Sequence, residues 1–162
     1  MKPIQILFAT LALALVATAQ PRNLPAGYIV ETVNIPKEIT LGVGGMAFMD
    51  NNTLLICTRE GEVWKFNTQD GQWELYADGL HESLGLWIDR KKGDVYVMQR
   101  PELTRLVDTN KDGKADLYQT VNAGWGLTDN YHEYTFGPVR DSKGNFYGTL
   151  NTSLSWPGWA GS

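Results

Sequence analysis

The sequence has a single cysteine, little helical periodicity, no basic stripe and no apolar run long enough to cross a bilayer comfortably. Each shortage excludes something. With only Cys57, no internal disulfide can form. Cys57 lies in the apolar run Leu54-Leu55-Ile56-Cys57, where a buried strand thiol is expected in preference to a reactive one. Apolar residues seldom recur at three- and four-residue spacing, which argues against a helical protein. Fourteen Lys and Arg against eighteen Asp and Glu give a net charge of −4, and without a clustered basic face nucleic acid is not an expected partner. The longest apolar stretch, Ile6 to Ala19, falls short of the roughly 20 residues that a membrane span needs.

That stretch has a different use. Lys2 gives a short basic start, and Ala17-Thr18-Ala19 is a small-x-small cleavage site before Gln20. Residues 1–19 therefore read as a secretory signal peptide, the alternative being an uncleaved anchor. The residue immediately after the cleavage site is Gln20 and not a cysteine, so a lipoprotein start is not expected. The expected location is periplasmic or secreted.

Residues 20–162 are rich in turn and strand formers, with seventeen glycines, seven prolines and many aromatics. Three segments look alike. Gly45-Met46-Ala47-Phe48 precedes Thr53–Thr58 and then Glu62–Phe66. Gly85-Leu86-Trp87-Ile88 precedes Gly93–Met98 and then Leu103–Leu106. Phe136-Gly137-Pro138-Val139 precedes Gly144–Thr149. Gly45 and Gly85 stand 40 positions apart, whereas Gly93 and Gly144 stand 51 apart, the excess fitting an insertion. Asn51-Asn52, Lys92-Gly93 and Lys143-Gly144 supply turn residues. A period near 40 with several short strands per unit is the signature of a β-propeller blade. The expected fold is all-β: about three blades forming the N-terminal part of a longer propeller. An ordinary antiparallel sandwich is the alternative.

The insertion holds Asp108-Thr109-Asn110-Lys111-Asp112-Gly113-Lys114-Ala115-Asp116. Oxygen side chains recur at alternate positions, glycine follows the third, and a further carboxylate comes three residues later. Ca²⁺ takes six to eight oxygen ligands, and a loop coiled about it points every second residue inward. Asp108, Asn110, Asp112, the Lys114 carbonyl and Asp116 are the expected ligands. The twelfth position is Gln119, not a bidentate glutamate, and no amphipathic helix flanks the loop, so a structural site between strands is expected. The alternative is a solvated turn that binds nothing.

Residues 79 to 151 bring together Gly79-Leu80-His81-Glu82, Gln99-Arg100-Pro101-Glu102-Leu103, the calcium loop and Asn130-Tyr131-His132-Glu133-Tyr134-Thr135-Phe136-Gly137-Pro138. In that order they resemble the quinoprotein glucose/sorbosone dehydrogenase-like propellers, including the "membrane-bound dehydrogenase" propellers linked to haem-binding cytochrome c-type domains. The resemblance implies a six-bladed propeller carrying pyrroloquinoline quinone, with a sugar or alcohol as substrate and a cytochrome c-type domain or other electron acceptor as partner. It implies His132 as the general base, a role that suits an imidazole with an ordinary pKa of about 6.5; a hydrogen bond to a neighbouring blade is the structural alternative. His81 is expected to be structural. The family's cofactor-binding residues lie in later blades, so none is assigned here.

The six tryptophans could line a sugar-binding face or pack the core. Trp64 and Trp87, inside strand runs, favour core; Trp125, Trp156 and Trp159 lie among glycines and leave both uses open. Two other functions remain open at this point: a non-catalytic calcium-stabilised propeller that binds a glycan or a haem-domain partner, and a lactonase-type hydrolase, whose converging acidic and Asn ligands the sequence does not clearly supply.

Overall fold

The computed structural model describes residues 25–127 and 132–151. The chain divides into two units, Met1–Val33 and Asn34–Ser162. In the first, the described residues form a turn in which the Tyr28 amide donates to the Pro25 carbonyl at 3.2 Å. The proposed cleavage site lies outside the described residues.

The second unit is all-β, with no helix among the described residues. β1 (Val43–Phe48), β2 (Thr53–Thr58), β3 (Val63–Asn67) and β4 (Trp73–Ala77) form one antiparallel sheet in sequential order. β5 (Leu86–Asp89), β6 (Asp94–Gln99), β7 (Glu102–Val107) and β8 (Leu117–Asn122) repeat the arrangement. β9 (Thr135–Arg140) and β10 (Phe146–Leu150) form a third sheet. The first three strands of the earlier sheets match the repeated segments of the sequence. β4 and β8 are additions that the repeats did not mark. The three sheets do not close into a ring among the described residues.

The same carboxylate device closes the first turn of every sheet. Asp50 accepts from the amides of Asn52 and Thr53 at 2.8 and 2.7 Å. Asp89 accepts from the Lys91 amide at 3.1 Å. Asp141 accepts from the amides of Lys143 and Asn145 at 2.9 and 2.8 Å, and from Asn145 Nδ2 and the Tyr147 hydroxyl as well. These bonds offer the backbone a local partner where the strand ladder must stop. The Asn145 side chain and amide lead the contacts that hold the Asp141 carboxyl at about 2, below its ordinary 3.8.

β6 is buried along its whole length, and its two faces serve two cores. Val95 and Val97 join Leu55, Cys57, Val63, Leu86 and Leu106 in the cluster between the first and second sheets. Tyr96 and Met98 face the other way, into a cluster with Leu103 against which Trp87, Trp125 and Phe146 pack. Burying such side chains contributes roughly 1.5–3 kcal/mol each. Cys57 is the buried strand thiol that its apolar run suggested, and burial pushes the thiol up to about 11.

Among the first strands of the three sheets, β5 packs against β1 on one side and against β9 on the other. Their contact is made of glycine. A Cβ on Gly45 would come within 2.6 Å of the Gly85 Cα, and a Cβ on Gly85 would overlap the Gly137 carbonyl oxygen. Gly85 also holds φ at +152°, where side chains are strained. Gly45 and Gly85 open the first two sequence repeats and Gly137 is the second residue of the third, so the repeat marks the positions where backbones must meet. Phe136-Gly137-Pro138-Val139, the opening segment of the third repeat, lies inside β9.

Candidate functional site: an aromatic box and an aspartate loop

On the face of β6 turned toward the third sheet, three aromatic rings from three strands come together. Trp87 of β5 and Tyr96 of β6 are directly paired across the ladder, with ring centroids 5.6 Å apart. Phe146 of β10 stands edge-on to Trp87 at 5.7 Å and tilts onto Tyr96 at 4.8 Å. One cationic group sits among them. The Arg140 guanidinium carbon lies 4.9 Å from the Trp87 ring centre, 4.9 Å from Phe146 and 5.9 Å from Tyr96. Three ring faces each present negative quadrupole to that charge. Arg140 Nε donates to the Gly144 carbonyl at 3.2 Å, and Nη1 stands 3.7 Å from Asp89. Its side chain keeps 28% of its surface exposed, so the charge sits at the mouth of the box.

The aspartate loop joins β7 to β8, the placement between strands that its flanks suggested. Asp108 accepts from the amides of Asp112 and Gly113 at 3.2 and 2.8 Å. Asn110 Oδ1 also accepts from the Asp112 amide, and Asp112 accepts from the Lys114 amide. Asp108, Asn110 and Asp112 are thus drawn onto one turn, while Asp116 is directed to Thr109, accepting from its amide and hydroxyl at 2.9 and 2.8 Å. Those two bonds lower the Asp116 pKa. Among the described residues no group of three or more His, Cys, Asp and Glu side chains has the arrangement of a metal centre. The turn requires Gly113, which holds φ at +92°.

The two histidines are not brought into either place. His132 is exposed in the turn before β9, where its carbonyl accepts from Asn151 Nδ2 at 3.0 Å. The His81 amide donates to Gln99 Oε1 at 2.6 Å, and its ring stands 3.9 Å from Glu82, which Arg59 and Arg100 also approach. This is the structural use expected of His81. Asn130, Tyr131, Trp156 and Trp159 lie outside the described residues. Trp125 packs on the Tyr96 cluster and donates to the Arg100 carbonyl at 2.9 Å, and Trp64 is half-buried, bonded to Glu62. The aromatic box escaped the sequence reading because its members come from separate strands; the aromatics at 87, 96 and 146 were its only signal.

No protein-family model matches the chain. Over 140 residues it is 28% identical to the glycine betaine-binding periplasmic protein OusX of Dickeya dadantii, a match covering 76% of this chain and 42% of that protein. Over 106 residues it is 29% identical to the glycine betaine/proline betaine-binding periplasmic protein of Escherichia coli, covering 59% of this chain and 32% of that protein. The chain thus spans less than half the length of the curated relatives it matches. Both relatives are periplasmic, and the periplasmic location expected from the leader holds.

These matches overturn the resemblance to quinoprotein glucose/sorbosone dehydrogenases. The oxidoreductase activity, the sugar or alcohol substrate, the glycan and the cytochrome c-type partner go with it, since the relatives are named for binding betaines. Pyrroloquinoline quinone loses the reaction for which it was invoked, and His132 loses the proton transfer it was to perform. The physical reason for the error is that the motifs behind the resemblance are short turn and strand-start sequences. Such sequences report local geometry more than chemistry.

Proposed function

We propose that this protein is a non-enzymatic periplasmic solute-binding protein whose ligand is a small quaternary-ammonium zwitterion of the glycine betaine kind. One observation carries the proposal: Trp87, Tyr96 and Phe146 already enclose a delocalised cation, the Arg140 guanidinium. Aromatic cages of this kind suit quaternary ammonium groups, which are bulky, cannot be deprotonated and donate no conventional hydrogen bond. Arg140 at the mouth would yield the box to the ligand's ammonium and meet its carboxylate with a charge-assisted hydrogen bond. The names of the two relatives support the same ligand class. Calorimetric titration of the exported protein with glycine betaine tests this, with saturable one-site heat expected. Trp87→Ala should weaken binding roughly 2- to 30-fold, the worth of one cation–π face at about 0.5–2 kcal/mol. An unchanged affinity in Trp87→Ala would remove the box from the function.

We further propose that the sheets are successive blades of a β-propeller, with β1, β5 and β9 as the strands lining its axis, and that export follows cleavage after Ala19. The convergence of Gly45, Gly85 and Gly137 supports the first point. We also propose that the loop from Asp108 to Asp116 binds Ca²⁺ through Asp108, Asn110, Asp112, Asp116 and the Lys114 carbonyl. The alternation of oxygen side chains and the turn at Gly113 favour it. Ca²⁺ should then raise the thermal midpoint of chelator-treated protein, because binding to the native state alone stabilises it, and Asp112→Ala should lose that response. A midpoint indifferent to Ca²⁺ would leave the loop a solvated turn.

A further inference from the structure

Asp89 ends β5 two residues beyond Trp87, and alternation along a strand puts the two side chains on one face, while Leu86 and Ile88 turn into the first core. Across the ladder, Trp87 faces Tyr96 and Asp89 faces Asp94. Two carboxylates directly opposite each other repel, and both are largely withdrawn from solvent: Asp94 is 3% exposed and the Asp89 side chain 16%. Each therefore calls for a cation, and the two obtain it differently. Asp94 takes two guanidinium nitrogens of Arg105 on one oxygen, at 2.7 and 2.9 Å. Asp89 has no such bond. Its Oδ1 serves the turn, accepting the Lys91 and Lys92 amides at 3.1 and 3.4 Å. Its Oδ2 stands 3.7 Å from Arg140 Nη1, too far for a hydrogen bond. That guanidinium is the one that Trp87, Tyr96 and Phe146 surround, and its hydrogen bond goes to the Gly144 carbonyl. The cation that fills the box is thus the counter-charge of Asp89.

Taking the box as the quaternary-ammonium site proposed above, we infer that Asp89 determines its specificity: Oδ2 supplies the counter-charge of the ligand's ammonium once Arg140 has given way. The rings attract a cation, but they also offer apolar surface to an uncharged group of the same shape. A carboxylate at their edge separates the two cases. It attracts the ammonium, and it loses hydration without return when a neutral group covers it. The box therefore selects a positive charge and not merely a bulky trimethyl group.

Choline and neohexanol, its uncharged carbon isostere, differ in the atom that carries the charge, and neither has a carboxylate for Arg140 to meet. The test is calorimetric titration of both into Arg140→Gln, whose box holds no resident guanidinium, and into the same protein with Asp89→Asn added. The asparagine keeps a side-chain carbonyl for the Lys91 and Lys92 amides, so the turn is preserved. Choline should bind Arg140→Gln well ahead of neohexanol. Asp89→Asn should weaken choline about tenfold and leave neohexanol level or slightly tighter. Choline weakened no more than neohexanol would overturn the inference, whether both are unchanged or both are lost, since either result makes Asp89 a turn residue alone. Trp87→Ala, added to Arg140→Gln, separates that failure from failure of the box. Choline binding that Trp87→Ala abolishes and Asp89→Asn leaves untouched would keep the box and remove Asp89 from it. Choline binding indifferent to Trp87→Ala, or absent from Arg140→Gln, would remove both.

Discussion

Replacing Gly85 by alanine tests the point where the three sheets meet. Two separable costs follow from the structure. The first is conformational: Gly85 holds φ at +152°, a backbone region that costs a residue with a side chain about 1–3 kcal/mol. The second is steric: the new Cβ would overlap the Gly137 carbonyl oxygen and approach the Gly137 Cα at 3.3 Å, so β5 and β9 must separate. Overpacking of this kind typically costs about 1–3 kcal/mol. Together they predict a loss of roughly 2–6 kcal/mol, a large part of the 5–15 kcal/mol that holds a typical domain together. Gly93→Ala is the control. Gly93 also holds a positive φ, +81°, but a Cβ there would meet nothing within 4 Å, so only the conformational cost of about 1 kcal/mol applies. Urea unfolding followed by tryptophan fluorescence measures both. The slopes should agree, since the surface exposed on unfolding is the same, and the Gly85→Ala midpoint should fall much further. Losses within about 0.5 kcal/mol of each other would refute the close approach of β5 to β9.

Two further outcomes follow from the ionisable groups. The Asp141 carboxyl titrates lower in the folded protein, about 2, than its ordinary 3.8, so its stabilisation is complete above about pH 4 and is lost as pH falls toward 2. The thermal midpoints of wild type and Asp141→Ala should therefore differ most at neutral pH and converge near pH 2; a constant gap across that range would contradict the bonds from Asn145 and Tyr147. The Cys57 thiol, raised to about 11 by burial, should react with a disulfide reagent only as fast as the protein unfolds. A rate matching a free thiol in native conditions would show the first core to be open.

Much of the fold was legible in the chain. Gly45, Gly85 and Gly137 fell within the repeated segments because close backbone approach admits no other residue, and Asn51-Asn52, Lys92-Gly93 and Lys143-Gly144 marked the turns because turn chemistry is local; the carboxylates of Asp50, Asp89 and Asp141 that bond those turns were not singled out. β4 and β8 were harder to see. β8 is exposed along its whole length, so it lacks the alternation of a half-buried strand, and it follows directly on the aspartate loop that dominates its neighbourhood. The aromatic box was hidden for a different reason. Trp87 and Tyr96 meet through the register of β5 on β6, and Phe146 and Arg140 arrive from another sheet, so no contiguous motif contains them. Short motifs such as Gln99–Leu103 and His132–Pro138 pointed to a catalytic family because they preserve strand-start geometry, which many unrelated activities share.

The most direct test of the account compares two cations on two proteins. Tetramethylammonium has only the group that would occupy the box, whereas glycine betaine adds the carboxylate that Arg140 would receive. In wild type, glycine betaine should bind more tightly than tetramethylammonium. In Arg140→Gln, which empties the box of its guanidinium, tetramethylammonium should bind more tightly than before while glycine betaine loses its advantage over it. Equal, weak binding of both cations by both proteins would contradict the assignment of Trp87, Tyr96 and Phe146 as the seat of a quaternary ammonium ligand.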